Sequence, residues 1–190
     1  MINKIYAFVG PHAAGKSFLL SKLRAIGLHY IPAYTTRAAR KGERDGDFYY
    51  YVNKIDFFKL DLIEKVTYKG EYYGLKKEDV LTALHSHSII MIQVDGNGLK
   101  QLNKLLKDRI ESIYIMSDYV SMVERMLKMG ETNDDIKHNL EYAENNNEFN
   151  LWKSTTHVVK NVTDYQVALS QILSIMNLTI LSPNIDLTKL

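Results

Sequence analysis

Residues 4–27 read KIYAFVGPHAAGKSFLLSKLRAIG, and the reading of this stretch decides the fold. KIYAFVG is a short apolar run ending at Gly10, as a buried strand does, and KSFLLSKLRAIG carries a helical pattern. The residues between them, GPHAAGKS at 10–17, fit Gly-x-x-x-x-Gly-Lys-Ser, the phosphate loop, in the context that motif requires. A tight glycine-bounded turn followed by a helix N-terminus points backbone N–H groups at a polyphosphate. In that arrangement Lys16 reaches the β/γ oxygens and the Ser17 hydroxyl ligates Mg²⁺. A plain glycine turn ahead of a core helix needs only the turn, whereas strand, loop, Lys-Ser and helix coincide here. The loop predicts nucleoside triphosphate binding without separating a kinase from a GTPase or another ATPase. Its candidate residues are Gly10, Pro11, His12, Ala13, Ala14, Gly15, Lys16 and Ser17.

Working outward, strand and helix patterns alternate. HSIIMIQVDG at 87–96, ESIYIMS at 111–117 and THVVKN at 156–161 read as further buried strands. LKQLNKLLKD follows the first and DYVSMVERMLKMG the second, with Ser117 or Asp118 as N-cap and Gly130 as the stop. The helix after THVVKN opens with Thr163-x-x-Gln166, a capping box. Wholly apolar strands separated by amphipathic helices predict a parallel α/β sheet covered on both faces. Two stretches break the rhythm. Residues 33–84, rich in Tyr, Gly and charge, read as short strands plus a helix capped by Asn53, and 130–149 read as a polar helix ending in ENNNEF. The expected organisation is a single domain with core 1–32, 85–117 and 150–177, an insert 33–84, a helical excursion 118–149 and a tail 178–190.

Composition sets outer limits. With 46% hydrophobic and 24% charged residues over 190 positions, the chain can bury one good core. Lys+Arg 24 against Asp+Glu 22 gives a formal net charge of +2, which offers no reason to propose nucleic acid or membrane as a partner. The absence of cysteine excludes disulfides, thiolate metal sites and Cys nucleophiles. The N-terminal apolar run is too short for a secretory signal, and none approaches the roughly 18 residues of a membrane helix. The expectation is a soluble cytoplasmic protein, of unknown oligomeric state.

Residues 35–49, TTRAARKGERDGDFY, place two arginines three apart, then an acidic glycine-flanked turn, then tyrosines. Such a stretch suits a small, dense negative charge held against an aromatic wall. Read with the phosphate loop, Thr35-Thr36-Arg37-x-x-Arg40-x-Gly42-Glu43-x-x-Gly46-x-x-Tyr49 resembles the nucleotide-acceptor signature of guanylate kinases. The likeness continues through Glu64, KGEYYG at 69–74, VDGNGLK at 94–100, SDYVSMVERMLKMG at 117–130 and VVKN at 158–161, covering roughly residues 3–177. It implies a P-loop kinase fold, with 33–84 as a nucleotide-acceptor subdomain and 118–149 as a helical lid. It further implies an ATP- and Mg²⁺-dependent phosphotransferase acting on a nucleoside monophosphate, GMP or dGMP above all. By the family's pattern Arg37, Arg40, Tyr49 and Tyr73 hold the acceptor phosphate, while Glu64 and Asp95 read its base. Lys16, Arg37 and Arg125 would carry catalysis, and Asn161 would join the ATP side.

The departures from that pattern also carry expectations. His12-Ala13 stands where the family has Ser-Gly, and Ala13 keeps the loop only if φ > 0 is not needed there. Ala33 and Leu75 replace small hydroxyl residues at the acceptor base, and Gln93 replaces an acid. Met129 and Asn139 fall where further lid arginines stand, with Lys128 or Lys137 as substitutes. These changes keep two alternatives in view: a family member acting on another (deoxy)nucleotide or ribose 1,5-bisphosphate, and a non-catalytic guanylate-kinase-like binding module. His85-x-His87 reads as a helix-to-strand junction more readily than a metal pair. The FYYY run reads as a two-sided strand. Met122, Met126 and Met129 read as filler.

Overall fold

The computed structural model describes residues 3–178, so all of the expected tail but its first residue lies outside the described residues. The strands are β1 Lys4–Val9, β2 His29–Tyr30, β3 Ala33–Thr35, β4 Tyr49–Tyr51, β5 Leu62–Tyr68, β6 Glu71–Lys76, β7 Ile89–Gln93, β8 Ile110–Met116 and β9 His157–Lys160. The helices are α1 Lys16–Ala25, α2 Lys54–Phe57, α3 Lys77–Ser86, α4 Gly96–Leu106, α5 Tyr119–Lys128, α6 Asn133–Asn145 and α7 Tyr165–Ile175. A central parallel sheet runs β2-β7-β1-β8-β9, as the apolar strands predicted. β1 is buried from Ile5 to Val9, which is why its sequence shows no in–out alternation. Among the described residues no helix is long and apolar enough to cross a membrane.

Two compact units make up the chain. The first takes residues up to Ala7 together with His29–Ile110. It contains a second, four-stranded sheet, β4-β3-β6-β5. β5 and β6 form an antiparallel hairpin whose turn residues Lys69 and Gly70 both have positive φ, 49° and 77°, the geometry a two-residue hairpin favours. β3 pairs antiparallel with β6 but parallel with β4. α2 is capped as expected, the Asn53 side chain accepting from the Asp56 N–H. In this unit β2 pairs parallel with β7, a two-residue strand that no periodicity announced.

The second unit takes Phe8–Leu28 and the chain from Glu111 onward. β8 pairs parallel with β9. Asp118, and not Ser117, caps α5 by accepting from the Ser121 N–H, and Gly130 at φ 79° follows the helix end. α6 starts at a full capping box of Thr132 and Asp135. The box expected at Thr163-x-x-Gln166 is absent. Asp164 caps α7 and accepts from the Gln166 N–H, because its carboxylate is already placed to satisfy the first turn. Met122 and Met126 are buried with Ile136, whereas Met129 is exposed, so only two of the three methionines fill space.

Candidate active site

The phosphate loop is held from behind by backbone. Gly10 has φ 135°, and a Cβ there would stand 2.7 Å from the Ile115 carbonyl oxygen, so strand packing alone requires glycine. Gly15 has φ 99°, and a Cβ on it would run into the Asn161 amide. Gly15 is the N-cap of α1 and supplies no side-chain cap to its first turn. Lys16 Nζ donates to the carbonyls of Gly10 at 2.6 Å and Pro11 at 2.8 Å. Burial pushes its ammonium down to about 8. Ala13 departs from expectation: it adopts φ 60°, a left-handed conformation that costs a non-glycine residue about 1 kcal/mol. Its methyl packs against Met122, Met126 and Ile136, which holds it there.

Arg125 sits behind this loop. Its Nη1 donates to the carbonyls of Ala13 and Ala14 and to Ser117 Oγ, each at 3.1 Å, and Nη2 donates to the Asn161 carbonyl at 2.8 Å. Asn161, buried, donates from Nδ2 to the Ala14 carbonyl at 2.9 Å and from its backbone to Met116. Arg125 and Asn161 therefore brace the loop as a pair. Lys128 and Lys137 are exposed, and Lys137 pairs with Glu141 at 3.8 Å. Ser17, exposed at the start of α1, offers one hydroxyl oxygen. Among the described residues no three His, Cys, Asp or Glu side chains gather to hold a metal. A hard cation here would take its remaining ligands from phosphate and water, the habit of Mg²⁺, so the residues fit it.

In the first unit, Arg37 is bidentate on Glu43, Nη1 to Oε2 at 2.8 Å and Nη2 to Oε1 at 3.0 Å. Glu43 also accepts from the Arg40 backbone N–H at 2.7 Å and the Tyr51 hydroxyl at 2.8 Å. Although desolvation opposes it, these donors hold the Glu43 carboxyl down to about 2. The Arg37 guanidinium lies over the Tyr49 and Tyr51 rings, 5.3 and 5.6 Å from their centres. Tyr49 and Tyr73 meet edge to face at 5.8 Å. Burial raises the Tyr49 hydroxyl's pKa, so it stays a neutral donor. Arg40 is exposed. β4 is two-sided as expected, since Tyr50 turns to Tyr34 instead. Glu43 lay inside the quoted motif without a role, and its three-residue spacing from Arg40 is the signal that could have assigned one.

Glu64, on β5 beside a register shift, is buried with Oε2 lacking any hydrogen-bond partner. Burial first, and the nearby Asp95 carboxylate second, push its carboxyl up to about 8. A Cβ on Gly98 would come within 2.7 Å of that same oxygen, so glycine keeps the space open. Asp95 caps α4, accepting from the Gly98 N–H at 2.7 Å. Ala33 and Leu75 are buried and offer no hydroxyl. His85 Nδ1 lies 2.6 Å from the Leu81 carbonyl and His87 stacks on His29 at 3.9 Å, so each ring has a local structural partner.

A family model described as guanylate kinase matches residues 2–176. The guanylate kinase of Hydrogenovibrio crunogenus is 28% identical over 182 residues, covering 92% of this chain and 87% of that one. That of Carboxydothermus hydrogenoformans is 30% identical over 134 residues, covering 67% and 65%. The match to the guanylate kinase of Trichormus variabilis, 28% identical, likewise spans 66% of that protein. Against several relatives, then, the chain spans about two thirds of their length. The crystal structure of guanylate kinase from Anaplasma phagocytophilum superposes with TM-score 0.67 at 20% identity over 96% of this chain and 88% of that one, a likeness of fold. The chain belongs to the guanylate kinase family.

Proposed function

We propose that the chain transfers the γ-phosphoryl group of ATP to a nucleoside monophosphate, with GMP and dGMP as the preferred acceptors. In this reading residues 10–17 with Asn161 hold ATP, 33–84 form the acceptor subdomain and 118–149 the lid. Lys16 leaves its two carbonyls for the β/γ oxygens when ATP binds, a move favoured because burial, which outweighs the attraction of Glu148, penalises its charge in the empty loop. Bound Mg²⁺ would neutralise charge on the phosphates, with Ser17 as its protein ligand. Arg37, Arg40, Tyr49 and Tyr73 grip the acceptor phosphate, and the gain comes from fixed positions and opposed charge. Arg125 acts through the loop it braces.

One observation carries the choice of guanine: the buried Glu64 carboxyl with a vacant oxygen beside Asp95. A guanine edge supplies two adjacent N–H donors to such a carboxylate, whereas adenine presents an acceptor at the middle position. Buried polar groups left unpaired penalise the wrong base strongly. The apolar Ala33 and Leu75 support a second reading, in which another monophosphate or ribose 1,5-bisphosphate is accepted, because the hydroxyl contacts are gone. A coupled ADP-release assay with ATP–Mg²⁺ against GMP, dGMP, AMP, dTMP and ribose 1,5-bisphosphate decides between them. GMP and dGMP should give the highest kcat/KM. Efficient use of another acceptor with GMP ignored would select the second reading, and ATP binding without any turnover would leave a non-catalytic module.

A further inference from the structure

His12 and Ala13, the loop residues that depart from the family's Ser-Gly, both turn toward the α5–α6 pair. His12 Nε2 lies 2.6 Å from Glu131 Oε1, in the turn joining those helices. The other oxygen, Glu131 Oε2, accepts from Asn139 Nδ2 at 2.7 Å, and Asn139 is buried on α6. Ala13 contributes its methyl to the cluster of Met122, Met126 and Ile136 on the same two helices. Two adjacent loop residues thus make one polar and one apolar contact with a single helix pair. Asn139 takes the place of a family arginine. An amide there holds one carboxylate oxygen and leaves the other turned to the imidazole. Glycine at 13 would leave the apolar contact empty.

We propose that His12, Ala13, Glu131 and Asn139 form a latch that fastens α5–α6 to the phosphate loop before nucleotide arrives, with Glu131 a positioning residue acting through His12. The latch orders the loop in advance, which lowers the cost of ordering it around phosphate. Its benefit to the reaction rests on the reading of residues 10–17 as the ATP site, but the fastening itself does not.

The test uses the full chain without nucleotide, comparing the parent with His12→Ser, Glu131→Ala and the double variant. Amide hydrogen exchange over residues 10–17 and 119–145 should quicken by about threefold or more in each single variant. The double variant should exchange no faster than either single one, because both changes empty the same contact. Glu141→Ala, on the exposed side of α6, should leave exchange as in the parent. With ATP–Mg²⁺, KM should rise about three- to tenfold in Glu131→Ala while kcat at saturation stays within about twofold. Unchanged exchange in His12→Ser, which only restores the family's own residue, overturns the latch, as does additive behaviour in the double variant. Should the parent bind no ATP, the phosphate-site reading falls while the exchange comparison still decides the fastening.

Discussion

Around the phosphate loop the cationic side chains are turned onto main chain: Lys16 onto the carbonyls of Gly10 and Pro11, Arg125 onto those of Ala13, Ala14 and Asn161. In the proposed acceptor segment, residues 33–84, the corresponding cation, Arg37, is turned chiefly onto a carboxylate, and a second carboxyl, Glu64, keeps an oxygen with no partner. Carbonyls neither titrate nor vanish on mutation, so beyond the contacts of His12 and Ala13 with α5–α6 the loop region holds its shape chiefly through glycine geometry and backbone. Around Arg37 the arrangement of side chains is held through charge. Sensitivity to acid and alkali should therefore concentrate in the acceptor segment, while loss of chemistry should be greatest at the loop.

The largest effect tests the loop side. Lys16→Ala should lower turnover by at least about 10²–10³ and weaken ATP–Mg²⁺ binding. Since the native ammonium is half-buried with its pKa depressed, melting temperature should not fall. Turnover equal to the parent's would break the comparison at its strongest point.

Next comes Glu43→Ala, which leaves Arg37 without its fork partner. Acceptor KM should rise about tenfold, with ATP KM unchanged, because a charge-assisted pair orders the guanidinium. Arg40→Ala should raise acceptor KM for every base alike, since a phosphate grip carries no base information. The carboxyl also sets a pH signature. Glu43 titrates near 2 when folded against an ordinary 4.5, so it contributes stability above about 4.5 that is lost as pH falls toward 2. Glu43→Gln should flatten the melting-temperature profile in that acid window.

Glu64 has the opposite sign. Its folded pKa, about 8, lies above 4.5, so its contribution is full below about 4.5 and disappears as pH rises toward 8. Glu64→Gln should accordingly melt higher than the parent at pH 8.5 and close to it at pH 5. GMP binding should release protons near neutral pH, as guanine N–H donors draw out the ionised form. Calorimetry in two buffers of different ionisation enthalpy reads that release directly, and a null result in the parent would remove Glu64 from base recognition.

The smallest effect is a control within residues 33–84 but away from their charged side-chain cluster. Lys69 holds φ 49° in the β5–β6 turn, where Asn-Gly is the favoured pair. Lys69→Asn should stabilise by about 0.5 kcal/mol without altering kinetics.

What could be read in the sequence follows the same divide. β1, β7 and β8 were visible because a strand buried on both faces must be apolar, and Gly10 and Gly15 because their backbone admits little else; β9, at the sheet edge, showed only through its Val158-Val159 pair, of which Val159 alone is buried. β2 was not visible: His29 and Tyr30 are too few to show a period, and their place comes from pairing with Ile90 and Met91. The cap of α7 was misplaced by one residue because Thr163 and Asp164 are both good caps, and only the local chain path chooses. Arg37 and Glu64 were visible as residue types in a spaced motif. That Arg37 already holds Glu43, and that Glu131 reaches His12 across more than a hundred residues of sequence, are facts of packing that no local pattern carries.

The parallel pairing of β3 with β4 has a consequence for anyone wishing to transplant the proposed phosphate grip. Two successive strands that run in the same direction cannot be joined by a tight hairpin, so the chain from 36 to 48 must travel back along their whole length before β4 begins. That return journey is the arch on which Arg37, Arg40 and Glu43 sit. Its length is fixed by strand direction and not by the ligand. Shortening it would force β4 to reverse, exchange the faces of Tyr49, Tyr50 and Tyr51, and dissolve the grip, so a graft must carry both strands along with the arginines.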